Sequence, residues 1–315
     1  MPRVDERGTE SADRHRPVPI ETPDRCAVQA ELRSDPLWGT AFPSGALFLV
    51  EQPGPWGQAG LLQSDFDPGV ARHLIDSLDR RGIRLLAIRR PGRDHHLTHR
   101  RWAYVDCRSD QETLVWGSYR HDAELLDLLR RGFPESLTGV RVDPAPLYLV
   151  CAHGTHDVCC AVRGRSVAAA LEVLRPGRVW ECSHVGGDRF AANVLVVPSG
   201  LLYGSVPEGL GEALVRAVDA GRTLPAHLRG RIGWPPEAQA ALAGLLTAEP
   251  GLDYRAVRWQ AMEGAPNGPT DVELDVDGAR RIVRVRVGRS SPHQLTCQAG
   301  RAASVLTYHP SPVDL

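Results

Sequence analysis

Two short segments of the chain concentrate thiol, imidazole and carboxylate groups. Cys151 and Cys160 are separated by eight residues after a predicted strand, and His184 and Asp188 are separated by three residues after another. Both segments contain glycine, which lets the backbone approach a bulky inorganic group and donate N–H bonds to it. Thiolate is the soft ligand that iron–sulfur clusters need, and imidazole can replace thiolate on one iron. The pattern therefore indicates an iron–sulfur site.

The other thiols and the nearby histidines have simpler interpretations. Cys159 adjoins Cys160, and because neighbouring side chains usually point apart, we expect it to be a core residue or a bystander thiol. Free cysteine is often a small buried hydrophobe. The cysteines expected to be structural on this ground are Cys26, Cys107 and Cys297. His153 and His156 are expected to be solvated, with donation of hydrogen bonds to the site as the alternative.

The elements around these segments follow a recognisable order. The predicted strands and helices are a strand at 146–150, a helix at 164–174, a strand at 178–182, a hairpin at 193–204 and a helix at 209–220. Strand, helix, strand, hairpin, helix is the order of a thioredoxin-type α/β unit. We therefore expect an α/β fold in which residues 146–232 form a thioredoxin-like ferredoxin domain.

Three further regions flank that domain. Residues 1–25 are charged and contain proline, which is typical of a disordered tail. Residues 26–145 predict a smaller α/β region, with strands at 45–50, 83–88 and 102–106 and helices at 67–81 and 122–131. Residues 233–315 predict an α+β region, with a helix at 235–247 and a hairpin at 270–288 that turns at Asp277-Gly278.

Composition limits the location and the partners. The net charge is −1 and no basic stripe is interleaved with aromatic residues, so nucleic acid is not an expected partner. No apolar run is long enough to span a bilayer, and the N-terminus lacks the apolar core of a signal peptide. An odd number of cysteines in a long chain argues against a disulfide framework. These observations predict a cytoplasmic protein that does not bind membranes.

Four segments of the sequence resemble the sucrase/ferredoxin-like family. The two longest are CAHGTHDVCCAVRG at 151–164 and WECSHVGGDRFAANVLVVPSGLLYG at 180–204. PLWGTA at 36–41 and VEQPGPWG at 50–57 add to the likeness. More broadly, the cysteine spacing is similar to that of thioredoxin-like ferredoxins, which bind a 2Fe–2S cluster.

The resemblance implies a ligand set. Fungal members of the family bind a 2Fe–2S cluster through two cysteines and two histidines, the histidines spaced H-x3-H. The matching positions here are Cys151, Cys160 and His184, with Asp188 in place of the second histidine. Carboxylate is a rare cluster ligand, so Cys182, which precedes His184 by two residues and could share its strand face, is a rival fourth ligand. Water or an open position is the third alternative.

The resemblance implies a 2Fe–2S electron-transfer protein, a carrier rather than a hydrolase. No nucleotide-binding fingerprint is visible, so a separate reductase and a separate electron acceptor are expected. The main alternative is a thiol-based redox or peroxide-sensing protein on a thioredoxin-like scaffold, which the vicinal pair Cys159-Cys160 would serve. Sugar hydrolysis needs two paired carboxylates, and no such motif stands out. A structural scaffold, with zinc or without metal, is the remaining alternative.

Overall fold

A computed structural model describes residues 24–92, 99–108, 112–137, 143–264 and 268–312. The α-helices among these residues are α1 (Cys26–Arg33), α2 (Pro68–Asp79), α3 (Glu124–Arg130), α4 (Val158–Leu174), α5 (Gly211–Asp219) and α6 (Pro236–Ala248). The strands of the first half of the chain are β1 (Ala46–Glu51), β2 (Ile83–Arg89), β3 (Arg100–Asp106), β4 (Thr113–Tyr119) and β5 (Leu147–Cys151). The later strands are β6 (Val179–Cys182), β7 (Val194–Val197), β8 (Leu201–Tyr203), β9 (Leu228–Arg231), β10 (Val257–Gly264), β11 (Thr270–Val276), β12 (Ala279–Arg289) and β13 (Leu306–Pro312).

A nine-stranded mixed sheet in the order β4-β3-β1-β2-β6-β5-β7-β8-β9 forms the centre of the protein. Its first eight strands divide into two units of the same design. In each unit the first strand pairs in parallel with the second and antiparallel with the third, and the third pairs antiparallel with the fourth. A helix follows the first strand of each unit, α2 in one and α4 in the other. The second unit has the element order expected for residues 146–232, and the α/β fold class is confirmed.

The two units join along β2 and β6, which pair antiparallel through Ile88 with Cys182 and Arg89 with Glu181. Arg89 Nε donates to Glu181 Oε2 at 2.7 Å, and both side chains are buried. One hydrophobic core lies against both units and includes Leu49 of β1 and Leu149 of β5. The sheet and this core are therefore continuous across the boundary expected at residue 145, and the domain limits stay predictions.

The C-terminal region is a four-stranded antiparallel sheet in the order β10-β11-β12-β13. Helix α6 packs between this sheet and β9 of the large sheet. The hairpin of β11 and β12 turns at Asp277 and Gly278, as expected, and both residues have positive φ, 50° and 84°. Positive φ at both central residues is the geometry of a tight hairpin turn.

Several elements differ from the sequence-based expectation. Helix α4 begins at Val158, six residues before the predicted start at 164, because Asp157 caps it by accepting the N–H of Cys159. Cys160 therefore lies in the first turn of a helix rather than in a loop. Helix α1 and strands β4, β9 and β10 were not predicted. None of the helices in the described ranges is long and apolar enough to cross a membrane.

Candidate metal centre

Strand β5 and helix α4 bring Cys151 and Cys160 together. Cys151 is the last residue of β5, and Cys160 lies in the first turn of α4. The helix can approach the strand end because of Gly164, where a Cβ atom would stand 2.0 Å from the carbonyl oxygen of Cys151. Both thiols are buried and hydrogen-bonded to each other. This pair is the thiol half of the candidate site.

The segment after β6 supplies the other half. Two guanidinium groups fix its backbone: Arg84 donates to the carbonyl oxygen of His184 at 2.9 Å, and the buried Arg229 donates to that of Gly186 at 2.8 Å. Gly187 has φ of 73°, and a Cβ there would lie 2.6 Å from the Arg229 guanidinium. Glycine is thus required at position 187 both for its left-handed conformation and for the close contact.

Cys160, His184 and Asp188 meet at one point. The Sγ atom of Cys160 lies 3.4 Å from Oδ1 of Asp188, and Nδ1 of His184 lies 3.0 Å from the same oxygen. Asp188 is almost fully buried, whereas the His184 side chain is about a quarter exposed. The four residues predicted from the sequence, Cys151 included, therefore form one contiguous group at the ends of β5 and β6.

The thiols and the carboxylate influence one another's protonation. The hydrogen bond from Cys160 lowers the pKa of Cys151 despite its burial, while the same bond and burial raise the pKa of Cys160. Burial alone would raise the pKa of Asp188, but the hydrogen bond from His184 and the charges of His184 and His156 outweigh it, so this pKa is lowered. The group thus favours a Cys151 thiolate and an ionised Asp188, the forms that bind metal.

Two further histidines surround the group. His153 is buried: its Nε2 lies 2.8 Å from the carbonyl oxygen of Gly57, and its Nδ1 accepts the N–H of His184 at 3.3 Å. Burial lowers the pKa of His153, which favours a neutral ring with one hydrogen bond at each nitrogen. His156 lies with Nε2 3.6 Å from Oδ2 of Asp188 and its ring 3.7 Å from that of His184, measured between centroids. His156 is therefore a possible metal ligand that sequence reasoning treated as solvated.

Cys182, the rival fourth ligand, lies directly beside Cys151 in the parallel pairing of β5 and β6. Its side chain is fully buried in the same core. Burial raises the pKa of Cys182, and the negative charge of Cys151 raises it further. Cys182 is near the group but, like Cys151 and Cys160, it lies outside the set of donor atoms within 4.8 Å of one another, which consists of His156, His184 and Asp188.

Cys159 faces away from this site and meets two cysteines expected to be structural. Its Sγ atom lies 3.7 Å from that of Cys26 and 3.4 Å from that of Cys297, and the latter two are 3.5 Å apart. Asp157 adjoins all three thiols. We call Cys26, Cys159 and Cys297 the three-thiol group. Cys107 lies elsewhere in the core, as expected for a structural residue.

Sequence reasoning missed the residues that position the site. Arg229 and Arg84 have no local signature, because each reaches the site from a strand distant in the sequence. Gly164 was taken as the start of a helix, although it lies in the middle of α4 and allows the close packing. Arg189, which follows Asp188 in the chain, pairs with Asp35 at 3.3 Å, which leaves Asp188 available to a metal.

The donor types, which are two thiols, an imidazole and a carboxylate, would suit a metal centre, and 2Fe–2S clusters use thiolate and imidazole ligands. If such a cluster were bound, Cys151 and Cys160 would hold one iron, and His184 with one more donor would hold the other. The backbone at Gly186 leaves open space, since a Cβ there would meet no atom within 4 Å. Arg229 is fully buried and hydrogen-bonds the loop beside the anionic donors. Its positive charge would compensate part of the negative charge of thiolate ligands and of a bound cluster.

The profile of the sucrase/ferredoxin-like family matches residues 48–230. This range is more than half of the chain and includes every residue of the predicted cluster site. The chain therefore belongs to the sucrase/ferredoxin-like family. No curated protein and no solved structure matches the chain.

Proposed function

We propose that this protein is a 2Fe–2S electron carrier that receives electrons from a separate reductase and passes them to a separate acceptor. The observation that carries the proposal is the convergence of Cys151, Cys160, His184 and Asp188 at the ends of two adjacent strands. A bound 2Fe–2S cluster would accept and release one electron. The residues around it hold the ligands, limit the access of water and set the charge of the surroundings.

Two guanidinium groups tune that charge. Burial lowers the pKa of Arg229 to about 9, and its position beside Asp188, Cys151 and Cys160 opposes that loss of charge. Arg84 is likewise close to Cys151. Because reduction adds a negative charge, fixed positive charge nearby favours the reduced state and raises the midpoint potential. His184 is partly exposed and gives electrons a short route to the surface.

We assign the fourth ligand to Asp188, and two residues compete with it. His156 lies on the same side as His184, and if it bound the iron, Asp188 would instead orient His184 through its contact with Nδ1. Carboxylates commonly orient metal-binding histidines in this way. Cys182 is the second competitor, through its register beside Cys151.

The thiol-redox alternative loses its original support. It relied on Cys159 and Cys160 acting as a vicinal pair, but Cys160 contacts Cys151 and Asp188 whereas Cys159 contacts Cys26 and Cys297. The two thiols therefore belong to different groups of side chains.

Anaerobic purification followed by iron and acid-labile sulfide analysis tests the function. We expect about two irons and two sulfides per chain, with a red-brown chromophore. Colourless protein without iron after chemical reconstitution would refute the proposal.

The fourth ligand is tested on the same preparations with three substitutions. Asp188→Ala should lose most of the chromophore, whereas His156→Ala and Cys182→Ser should retain it. If Asp188→Ala retains the cluster, the variant that loses it identifies the ligand. Circular dichroism on each variant separates the loss of a ligand from the loss of the fold.

A further inference from the structure

The three-thiol group joins segments that are far apart in the sequence. Cys26 begins helix α1, Cys159 lies in the first turn of α4, and Cys297 lies between β12 and β13. Cys26 and Cys297 both fall outside the range matched by the family profile. The group is therefore a feature of this chain that the proposed 2Fe–2S site does not use.

The three sulfur atoms form a nearly equilateral triangle with edges of 3.4, 3.5 and 3.7 Å. Zinc binds thiolate sulfur at about 2.3 Å in a tetrahedron, which places two sulfurs on one ion about 3.8 Å apart. The triangle matches one face of such a tetrahedron within a few tenths of an ångström. The arrangement of the three sulfurs therefore suits a single ion.

Asp157 stands at the remaining corner. Its carboxylate is fully buried, and Oδ2 lies 3.6 Å from Sγ of Cys26. The carboxylate is held in place by the N–H groups of Cys159 and Cys297, at 2.8 and 2.7 Å. All four donor atoms lie within 4.8 Å of one another. A buried carboxylate among three thiols gains much from a divalent cation, because a cation compensates its charge.

A disulfide explains the group less well. It would join two of the sulfurs and leave the third thiol beside the buried Asp157 without a role. Cys26 and Cys159 are almost fully buried, but Cys297 is partly exposed, which leaves an ion a path to the site. Soft thiolate ligands in tetrahedral geometry select zinc among the common divalent ions.

We propose that Cys26, Cys159, Cys297 and Asp157 bind one zinc ion in a structural site separate from the iron–sulfur site. The ion would fasten helix α1 and the segment around Cys297 to the first turn of α4. This turn also carries Cys160, so the same clamp would steady the iron–sulfur ligands. Helix α1 supports them from a second side, because Asp35, two residues beyond its end, pairs with Arg189 next to Asp188.

Zinc analysis of the full-length protein, purified after growth with zinc and brief exposure to a weak chelator, tests this site. We expect about one zinc per chain in the wild type, in Cys151→Ser and in the buried control Cys107→Ala, and a loss of at least about ten-fold in Cys26→Ser and Cys297→Ser. X-ray absorption at the zinc edge should show three sulfurs at about 2.3 Å and one oxygen at about 2.0–2.2 Å.

Iron is measured on the same samples, so that failure of the two proposals can be told apart. The iron content should fall in Cys151→Ser, and the zinc content should fall in Cys26→Ser and Cys297→Ser. Zinc that is lost with Cys151→Ser, or retained by both Cys26→Ser and Cys297→Ser, would overturn the site. A wild-type protein that neither contains zinc nor takes it up when titrated, or that shows a Cys159–Cys297 disulfide on mass mapping, would also overturn it, even where a variant fails to fold.

Discussion

The two units of the large sheet share a design but differ where chemistry is possible. In the first unit β1 ends at Glu51 and α2 is capped by Asp67, and in the second unit β5 ends at Cys151 and α4 is capped by Asp157. Glu51 accepts the N–H of Arg101 at 2.7 Å and has no thiol partner among the described residues. The strand order therefore provides the location of a site, and the residues at the strand ends decide whether one exists.

The largest expected effect is the loss of the iron site from the second unit alone. Cys160→Ser should abolish the chromophore, because it removes one of two adjacent thiol ligands. Cys107→Ala, a change of a buried thiol that follows β3 in the first unit, should leave iron content unchanged. Iron analysis and visible spectra measure both. Equal iron in the two variants would end the distinction between the units.

The next effect is on the midpoint potential. Asp188→His replaces an anionic donor by a neutral one, so the potential should rise by on the order of 100 mV. For comparison, replacing two thiolate ligands by two histidines raises the potential of 2Fe–2S clusters from about −400 mV to between about −150 and +300 mV. The pH dependence near neutrality should also steepen, because a second ring could then couple a proton to reduction. Protein-film voltammetry across pH measures both. An unchanged potential would place Asp188 outside the ligand set.

The third expected effect concerns how closely the helix of each unit packs against its strand. Gly164→Ala should destabilise the protein by about 1–3 kcal/mol and lower iron occupancy, because its Cβ would collide with the backbone of Cys151. Gly69→Ala, in α2, should change stability by no more than about 0.5 kcal/mol, since its Cβ would meet only the Asp67 carboxylate, at 3.2 Å. Urea unfolding monitored by circular dichroism compares them. Similar losses would show that α4 has no special need for close approach.

The smallest effect concerns the two helix caps. Asp67→Ala should cost about 0.5–2 kcal/mol, the usual loss for an N-cap aspartate, and should be insensitive to zinc. Asp157→Ala should cost at least as much, because the carboxylate also accepts the N–H of Cys297, and it should abolish stabilisation by added zinc. Unfolding curves with and without zinc provide the comparison. If added zinc still stabilises Asp157→Ala, Asp157 is not a zinc ligand beside the three-thiol group.

Local patterns predicted much of the fold. The apolar runs of β1, β2 and β5 and the periodic spacing of α2 are signals within a few residues, and the α/β class follows from their order. The early start of α4 was missed because Gly164 and the polar residues before Val158 resemble a loop. The Asp157 cap and the packing of Gly164 against Cys151 outweigh that local preference.

The site was predictable to the same extent. Cys151, Cys160, His184 and Asp188 lie in two short motifs, so their proximity could be expected from the family pattern. Cys26 and Cys297 are 131 and 140 residues from Asp157 and have no motif of their own. Their meeting depends on α1 and on the segment after β12 folding onto α4, which no local pattern encodes. The same holds for the buried Arg229.

The measurement that tests the account most directly is electron paramagnetic resonance of the wild-type protein, purified without oxygen and reduced with dithionite. A 2Fe–2S cluster held by Cys151, Cys160, His184 and one further ligand should give a spin-one-half signal at about one spin per two irons. The signal should be absent before reduction. A protein that contains no iron, or iron that gives no such signal on reduction, would contradict the assignment of this site.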